Sequence, residues 1–322
     1  AKAYHQPDCL AEKKGTLSPH LVLTMGIIAN LSLLGYFKYT DFFINNVNSL
    51  FGVHLVLHNI ALPLAISFFT FTQIIYLVDS YRGETVDYDL LNYALFVTFF
   101  PHLIAGPIVH HQQIMPQFAS RSTRICNYSN VLRGLLIFST GFFKKVVIAD
   151  TFGVWAAQGF DCEEPLNFFS AWAACLSYTF QLYFDFSGYC DMAIGASLLF
   201  NIILPVNFDS PYKALDIQDF WRRWHITLGQ FLRNYLYIPL GGNRCGELRT
   251  YANLFMTFVL GGLWHGATWM FVIWGGLHGG ALVIHRLWTR FHKPLPAAFA
   301  WTVTFLFLNV GWVFFRAKSF SD

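Results

Sequence analysis

The chain has 322 residues, of which 55% are hydrophobic and only 12% are charged, against about 25% charged residues in an average soluble domain. Its mean hydropathy of +0.44 and its 35 phenylalanines exclude an ordinary soluble protein. The net charge of +3 includes no basic tract, so nucleic acid is not an expected partner. We predict an all-α, polytopic transmembrane helical bundle that forms a single domain over 1–322.

Hydrophobic stretches that approach the length of a bilayer span recur along the chain: 21–37, 55–78, 90–118, 131–149, 165–184, 193–208 and 294–315. Lys38 closes the first stretch, and Pro101 predicts that the third ends or kinks in its middle. Lys144 and Lys145 lie inside the fourth and are expected to reach toward lipid headgroups. The polar residues at 185–191 separate the fifth stretch from the sixth.

The only strongly polar inner segment, 209–249, contains a predicted amphipathic helix. Apolar side chains recur at helical spacing from Ile217 to Tyr235, a pattern typical of a helix that lies in the membrane interface. Asp216 can cap its start. His225 is predicted to face inward with the aromatic residues.

Residues 250–285 contain no Asp, Glu, Lys or Arg, and this run exceeds the about 20 residues that one span needs. We predict a broken or re-entrant pair of helices with His265 near the turn, since glycines precede and follow it. A histidine at such a break is a functional candidate. A packed histidine bonded to a carbonyl is the alternative. Basic residues on both flanks place the two ends in the cytoplasm.

Two histidines are therefore the candidate catalytic residues, and each follows a tryptophan: Trp264-His265 and Trp224-His225. An imidazole removed from water stays neutral and can act as a base. Alternatively, these pairs are only the amphipathic rings that gather at membrane interfaces.

Asp185 and Asp191 border apolar runs, where carboxylates are costly unless they are paired or hydrated. They mark either an ion path or, as we favour, hydrogen bonds to a neighbouring helix. The sequence has no HExxH, GxSxG or P-loop motif, so we expect no metal site, soluble-type hydrolase or ATPase. Physical reasoning alone leaves an enzyme and a non-enzymatic transporter as alternatives.

Three motifs, FWRRWHITL at 220–228, YLYIPLGGN at 235–243 and WHG at 264–266, resemble the membrane-bound O-acyltransferase family, and within it the bacterial alginate O-acetylation branch. Further segments fit the same branch: 35–39, 106–108, 183–193 and 312–317. Members of that family usually run longer at both ends, so we expect further spans there in a longer protein.

The resemblance implies that His265 is the active-site histidine and His225 the second characteristic polar residue. It implies transfer of an acetyl group from a cytoplasmic donor, acetyl-CoA or another thioester, across the inner membrane, with no cofactor. The expected acceptor is an exported polysaccharide such as alginate, and a periplasmic acetyltransferase is the expected partner. Acylation of peptidoglycan or teichoic acid is the alternative. We assign substrate binding to Arg222, Arg223, Trp224 and Trp264.

Overall fold

The computed structural model describes residues 18–85, 89–103, 106–162, 164–291 and 295–319. These residues form helices and loops without a β-strand, which confirms the all-α prediction. The helices are α1 Pro19–Phe51, α2 Ile66–Tyr81, α3 Leu90–Thr98, α4 Phe100–Leu103, α5 His111–Ala119, α6 Tyr128–Phe143, α7 Asp150–Phe160, α8 Phe168–Leu199, α9 Ile217–Arg223, α10 Ile226–Leu232, α11 Glu247–His265, α12 Trp269–Phe291 and α13 Ala297–Arg316. Among them α1, α12 and α13 are long and apolar enough to cross a bilayer.

Helix α1 is much longer than the sequence predicted. The Ser18 hydroxyl accepts a hydrogen bond from the first turn, and the helix continues to Phe51, so the predicted end at Lys38 is wrong. The amino group of Lys38 donates to the carbonyl of Trp264 and to the hydroxyl of Ser67. Because these partners lie inside the protein, the charged side chain does not have to mark a helix end.

The second predicted span begins later than expected. Residues 52–65 are outside the helices, and α2 starts at Ile66, because Pro63 supplies no N–H and restricts the residue before it. The predicted interruption near Pro101 is confirmed, since α3, α4 and α5 divide that stretch into three pieces.

The two spans predicted around 185–191 are one helix, α8. The expected break is absent because ion pairs satisfy both carboxylates. Lys144 Nζ lies 2.5 Å from Asp191, and Lys145 Nζ lies 2.7 Å from Asp185. Both lysines belong to a π-helical segment, Lys144–Ala149, that joins α6 to α7. Both lysines pair with carboxylates of α8, and their expected contact with headgroups stays a prediction.

Helices α11 and α12 form a tight hairpin that turns at residues 266–268. This confirms the predicted pair of helices with His265 at the turn, although α12 is long enough to span a bilayer by itself. Gly262 lies against the backbone of Phe271, and Gly275 lies against the backbone of Phe258. The two helices can approach this closely because neither glycine carries a side chain.

We predict that Gly275→Ala destabilises this hairpin. A Cβ there would collide with the carbonyl oxygen of Phe258 and lie 2.9 Å from the Cα of Val259. Overpacking of this kind lowers the free energy of unfolding by about 1–3 kcal/mol. Gly280→Ala is the matched control, because a Cβ at this α12 position has no atom within 4 Å. Thermal unfolding in detergent measures both, and equal midpoints would contradict the packing argument.

Candidate functional site

The helix predicted to run through His225 is broken at that residue. Helix α9 ends at Arg223, α10 begins at Ile226, and His225 between them has a left-handed backbone with φ of 44°. The predicted cap at Asp216 is confirmed by its hydrogen bond to the Asp219 N–H, but a single continuous helix is wrong. The break follows from contacts with a residue outside α9 and α10.

Asn207 fixes the break and the His225 ring together. Its side-chain oxygen accepts from the backbone N–H of Thr227 at 3.1 Å and from the Thr227 hydroxyl at 2.9 Å. The same oxygen lies 3.2 Å from His225 Nδ1. Because an amide oxygen only accepts, Nδ1 carries the proton of a neutral imidazole. His225 Nε2 is then an acceptor, in a ring that is buried as predicted.

His265 is the last residue of α11, and four aromatic rings surround it. The ring centroids of Trp264, Trp274 and Phe315 lie 4.9, 5.2 and 5.1 Å from that of His265, and Phe271 stacks at 6.4 Å. The imidazole makes no hydrogen bond to the part of the chain that the structure describes. Both of its nitrogens are therefore available to a substrate.

The half-buried His265 side chain borders a cavity of about 320 Å³. Residues from α1, the following loop and the α11–α12 turn form the rest of its wall: Phe37, Lys38, Thr40, Asp41, Ile60, Leu62, Gly266 and Ala267. The cavity combines apolar walls with charged and hydroxyl groups beside the imidazole. A polar acceptor molecule can be held there next to a base.

A further histidine of this region, His278 on α12, is fully buried and was missed by the sequence analysis. Trp221 Nε1 donates to His278 Nδ1 at 3.2 Å, so the proton of a neutral ring lies on Nε2. The Trp274 ring contacts both His265 and His278, with centroid distances of 5.2 and 4.7 Å. The clue available in the sequence was the position of His278 inside the same charge-free run as His265.

A groove of about 950 Å³ lies toward the opposite end of α11. Four arginines line it, Arg222, Arg233, Arg286 and Arg290, together with Glu247. Glu247 lies 3.7 Å from Arg286 and 3.6 Å from Arg290. Within the described ranges, Arg222 and Arg233 have no acidic partner within 4 Å. The groove therefore has a surplus of positive charge.

The remaining residues assigned to substrate binding occupy different places. Arg223 does not line the groove, because its guanidinium pairs with Asp219 at 2.9 Å. This hydrogen bond to the carboxylate raises the pKa of the Arg223 guanidinium. Trp224 is buried in the aromatic core, whereas Trp264 lies directly beside His265.

Neither a metal cluster nor an open relay of carboxylates is found in the described part of the chain. No three His, Cys, Asp or Glu side chains there could hold a metal ion. Asp185 and Asp191, the carboxylates expected of a transporter, are paired with lysines.

A family model described as MBOAT, membrane-bound O-acyltransferase family, matches residues 20–320. The chain belongs to this family. Among the described residues, the match covers every helix except the first residue of α1, Pro19. It also includes His225, His265 and His278. The membrane character inferred from composition agrees with it.

The chain is similar to curated proteins that act on different polymers. It is 55% identical to a peptidoglycan O-acetyltransferase of Helicobacter pylori, covering 93% of this chain and 62% of the relative. It is 45% identical to a probable alginate O-acetylase AlgI of Pseudomonas aeruginosa, covering 92% and 58%. A teichoic acid D-alanyltransferase of Streptococcus thermophilus is 29% identical, covering 72% and 59%. The chain thus spans about six-tenths of the length of these relatives.

We predict that Trp224→Asp prevents folding, whereas Arg223→Gln is tolerated. Trp224 is 5% exposed among aromatic rings, and removal of a core tryptophan alone costs about 3–5 kcal/mol. A buried, unpaired carboxylate adds to that cost. Arg223 makes only surface ion pairs, each worth about 1 kcal/mol or less. Membrane abundance and detergent extraction measure both variants, and equal tolerance would contradict the inward orientation of α9.

Proposed function

We propose that the protein is an O-acetyltransferase of the bacterial inner membrane. It moves an acetyl group from a cytoplasmic thioester donor to a hydroxyl of an exported polysaccharide. The observation that carries this proposal is the placement of His265. This histidine has no hydrogen-bond partner in the described structure and lies beside a cavity. It belongs to α11, the helix that also borders the groove lined by arginines.

The reaction requires one proton to move from the acceptor to the leaving thiolate. His265 takes the proton of the hydroxyl while its oxygen attacks the thioester carbonyl. Collapse of the tetrahedral intermediate breaks the C–S bond, and the imidazolium returns the proton to sulfur. His225 Nε2, an acceptor in the neutral ring, can orient the attacking hydroxyl but cannot donate to the acyl carbonyl without being protonated.

Two indole N–H groups beside His265 can stabilise the oxyanion that develops in this reaction. Trp264 and Trp274 are buried, and neither Nε1 atom has an acceptor among the described residues. Donors that are already in place stabilise developing negative charge more effectively than water. Trp264, assigned to substrate binding from the sequence, is therefore proposed to act on the reacting carbonyl.

The arginine groove is the proposed binding site for the donor. Its positive charge suits the phosphates of acetyl-CoA or of a phosphopantetheine carrier, because guanidinium groups bind phosphate through paired hydrogen bonds. The basic flanks of 250–285 predict that this end of α11 faces the cytoplasm. Arg222 and Arg233 are the best candidates, because neither is paired with a described carboxylate.

Peptidoglycan is the acceptor that we propose first, on the strength of the 55% identity to a peptidoglycan O-acetyltransferase. Alginate is the second candidate, supported by 45% identity to a probable alginate O-acetylase. A periplasmic acetyltransferase is the proposed partner that completes delivery to either polymer. Analysis of cell-wall and exported polymers from a deletion strain distinguishes the two, since only one should lose its acetyl groups.

We predict that His265→Gln abolishes acetylation without reducing the amount of protein in the membrane. Glutamine retains much of the volume and a hydrogen-bond donor but is not a base, and loss of general-base catalysis lowers the rate by about 10²–10⁴-fold. His265→Ala is expected to be equally inactive. The measurement compares polymer acetylation with membrane abundance, and an active glutamine variant at normal abundance would end the catalytic assignment.

We predict that Arg222→Gln and Arg233→Gln each raise the KM for the thioester donor about 10-fold or more, with a smaller effect on kcat. One lost hydrogen bond to a charged group costs about 1.5–3 kcal/mol, and 1.4 kcal/mol corresponds to a factor of 10. Arg223→Gln is the matched control, because Arg223 lies outside the groove. If Arg223→Gln raises the donor KM as much as the other two substitutions do, the groove does not select the donor.

A further inference from the structure

The last carbonyl groups of α11 have partners that come from α1. An α-helix leaves its final four carbonyls without partners inside the helix. Gly266 has an extended backbone and ends α11. The carbonyl of Trp264 accepts from the amino group of Lys38, and the carbonyl of Leu263 accepts from the Tyr39 hydroxyl at 2.8 Å. Two adjacent residues of α1 therefore hold the two residues that precede His265.

The same lysine also contacts the Trp264 ring. Lys38 Nζ lies 5.6 Å from the centroid of that ring, within the range of a cation–π interaction. Phe71 of α2 stacks on Trp264 with centroids 4.8 Å apart and an angle of 14°. Lys38 Nζ is 3.2 Å from the Ser67 hydroxyl, also on α2. The backbone and the side chain of Trp264 are thus both fixed by α1 and α2.

We propose that Lys38 is a positioning residue that holds His265 at the cavity by capping α11; this inference rests on the proposed function. We assign Lys38 this role because its amino group donates to the Trp264 carbonyl and the Ser67 hydroxyl and also lies over the Trp264 ring. A cation at a helix C-terminus is favourable in itself, but the position here adds a geometric role. Without the Lys38 amino group, the end of α11 is free to rotate. A displacement of the imidazole by about 1 Å can lower the rate about 100-fold.

The test uses Lys38→Met, which retains most of the aliphatic stem and removes the amino group. We expect kcat for acetyl transfer to fall about 10–100-fold, while the donor KM and the membrane abundance stay close to those of the wild type. Tyr39→Phe should have a smaller effect, because it removes only the bond to Leu263. Tyr36→Phe is the matched control: it is the same substitution on the same helix, at a side chain that is 58% exposed.

Chemical restoration separates positioning from a general packing role. Lys38→Cys, purified in folded form, should be as slow as Lys38→Met. Treatment with 2-bromoethylamine converts the cysteine into a side chain nearly isosteric with lysine and should restore most of the lost kcat. Wild-type protein treated in the same way controls for alkylation of Cys126, Cys162 and Cys245, which are exposed.

A readout that does not depend on acetyl transfer keeps this inference separate from the proposed function. Carbethoxylation of His265 by diethyl pyrocarbonate, mapped by mass spectrometry, should be several-fold faster in Lys38→Met than in the wild type or in Tyr36→Phe. Unchanged kcat and unchanged labelling in Lys38→Met would overturn the positioning role even if His265→Gln is inactive. If the wild-type protein transfers no acyl group, the proposed function fails, and the labelling rates alone decide the role of Lys38.

Discussion

The structure depends on one constraint: polar groups inside a membrane protein must find partners within the protein, since lipid offers none. Several interactions of this chain satisfy that requirement. Lys144 and Lys145 neutralise Asp191 and Asp185, so α8 remains continuous. The partly buried Lys38 has its acceptor at the end of α11. Asn207 serves three donors at once with a single oxygen.

The same constraint assigns different hydrogen-bonding roles to the buried histidines. Asn207 directs the proton of His225 to Nδ1, whereas the Trp221 indole directs that of His278 to Nε2. Neither arrangement reaches His265, whose ring nitrogens make no hydrogen bond within the described residues. A base that must take and return a proton cannot have both ring nitrogens committed to structural partners. The polar residues that hold His225 and His278 therefore leave the imidazole that we propose as the base without a structural partner.

The sequence was sufficient for properties that depend on composition and on local signals. The absence of charge over 250–285 predicted the helical hairpin, Asp216 predicted the start of α9, and Pro101 predicted an interrupted stretch. Apart from the late start of α2 after Pro63, the wrong boundaries arose where a charged or polar side chain has a distant partner. Lys38 and Trp264 are separated by 226 positions, and no local pattern of residues indicates such a contact. The break at His225 has the same cause, because Asn207 lies outside the predicted helix.

Some of the candidate site residues could likewise be predicted from local signals, whereas others depend on distant contacts. His225 and His265 could be identified because each follows a tryptophan in an apolar segment. His278 does not follow a tryptophan, and its hydrogen-bond partner, Trp221, belongs to another helix. Arg222 and Arg223 are neighbours in the sequence and point to different surroundings, since the short helix α9 directs consecutive side chains apart. Only the tertiary structure shows that Arg222 joins the groove and that Arg223 does not.

Helix α11 also sets the distance between the proposed donor groove and His265. Phe258 is the residue of this helix closest to His265 that lines the groove, and seven helical residues correspond to about 10 Å. In the proposed reaction, a donor whose charged part is held by the arginines must bring its acyl group across at least that distance. Small thioesters without an extended arm would therefore bind at the entrance without reaching the imidazole, and the length of the donor would become a criterion of selection separate from its charge.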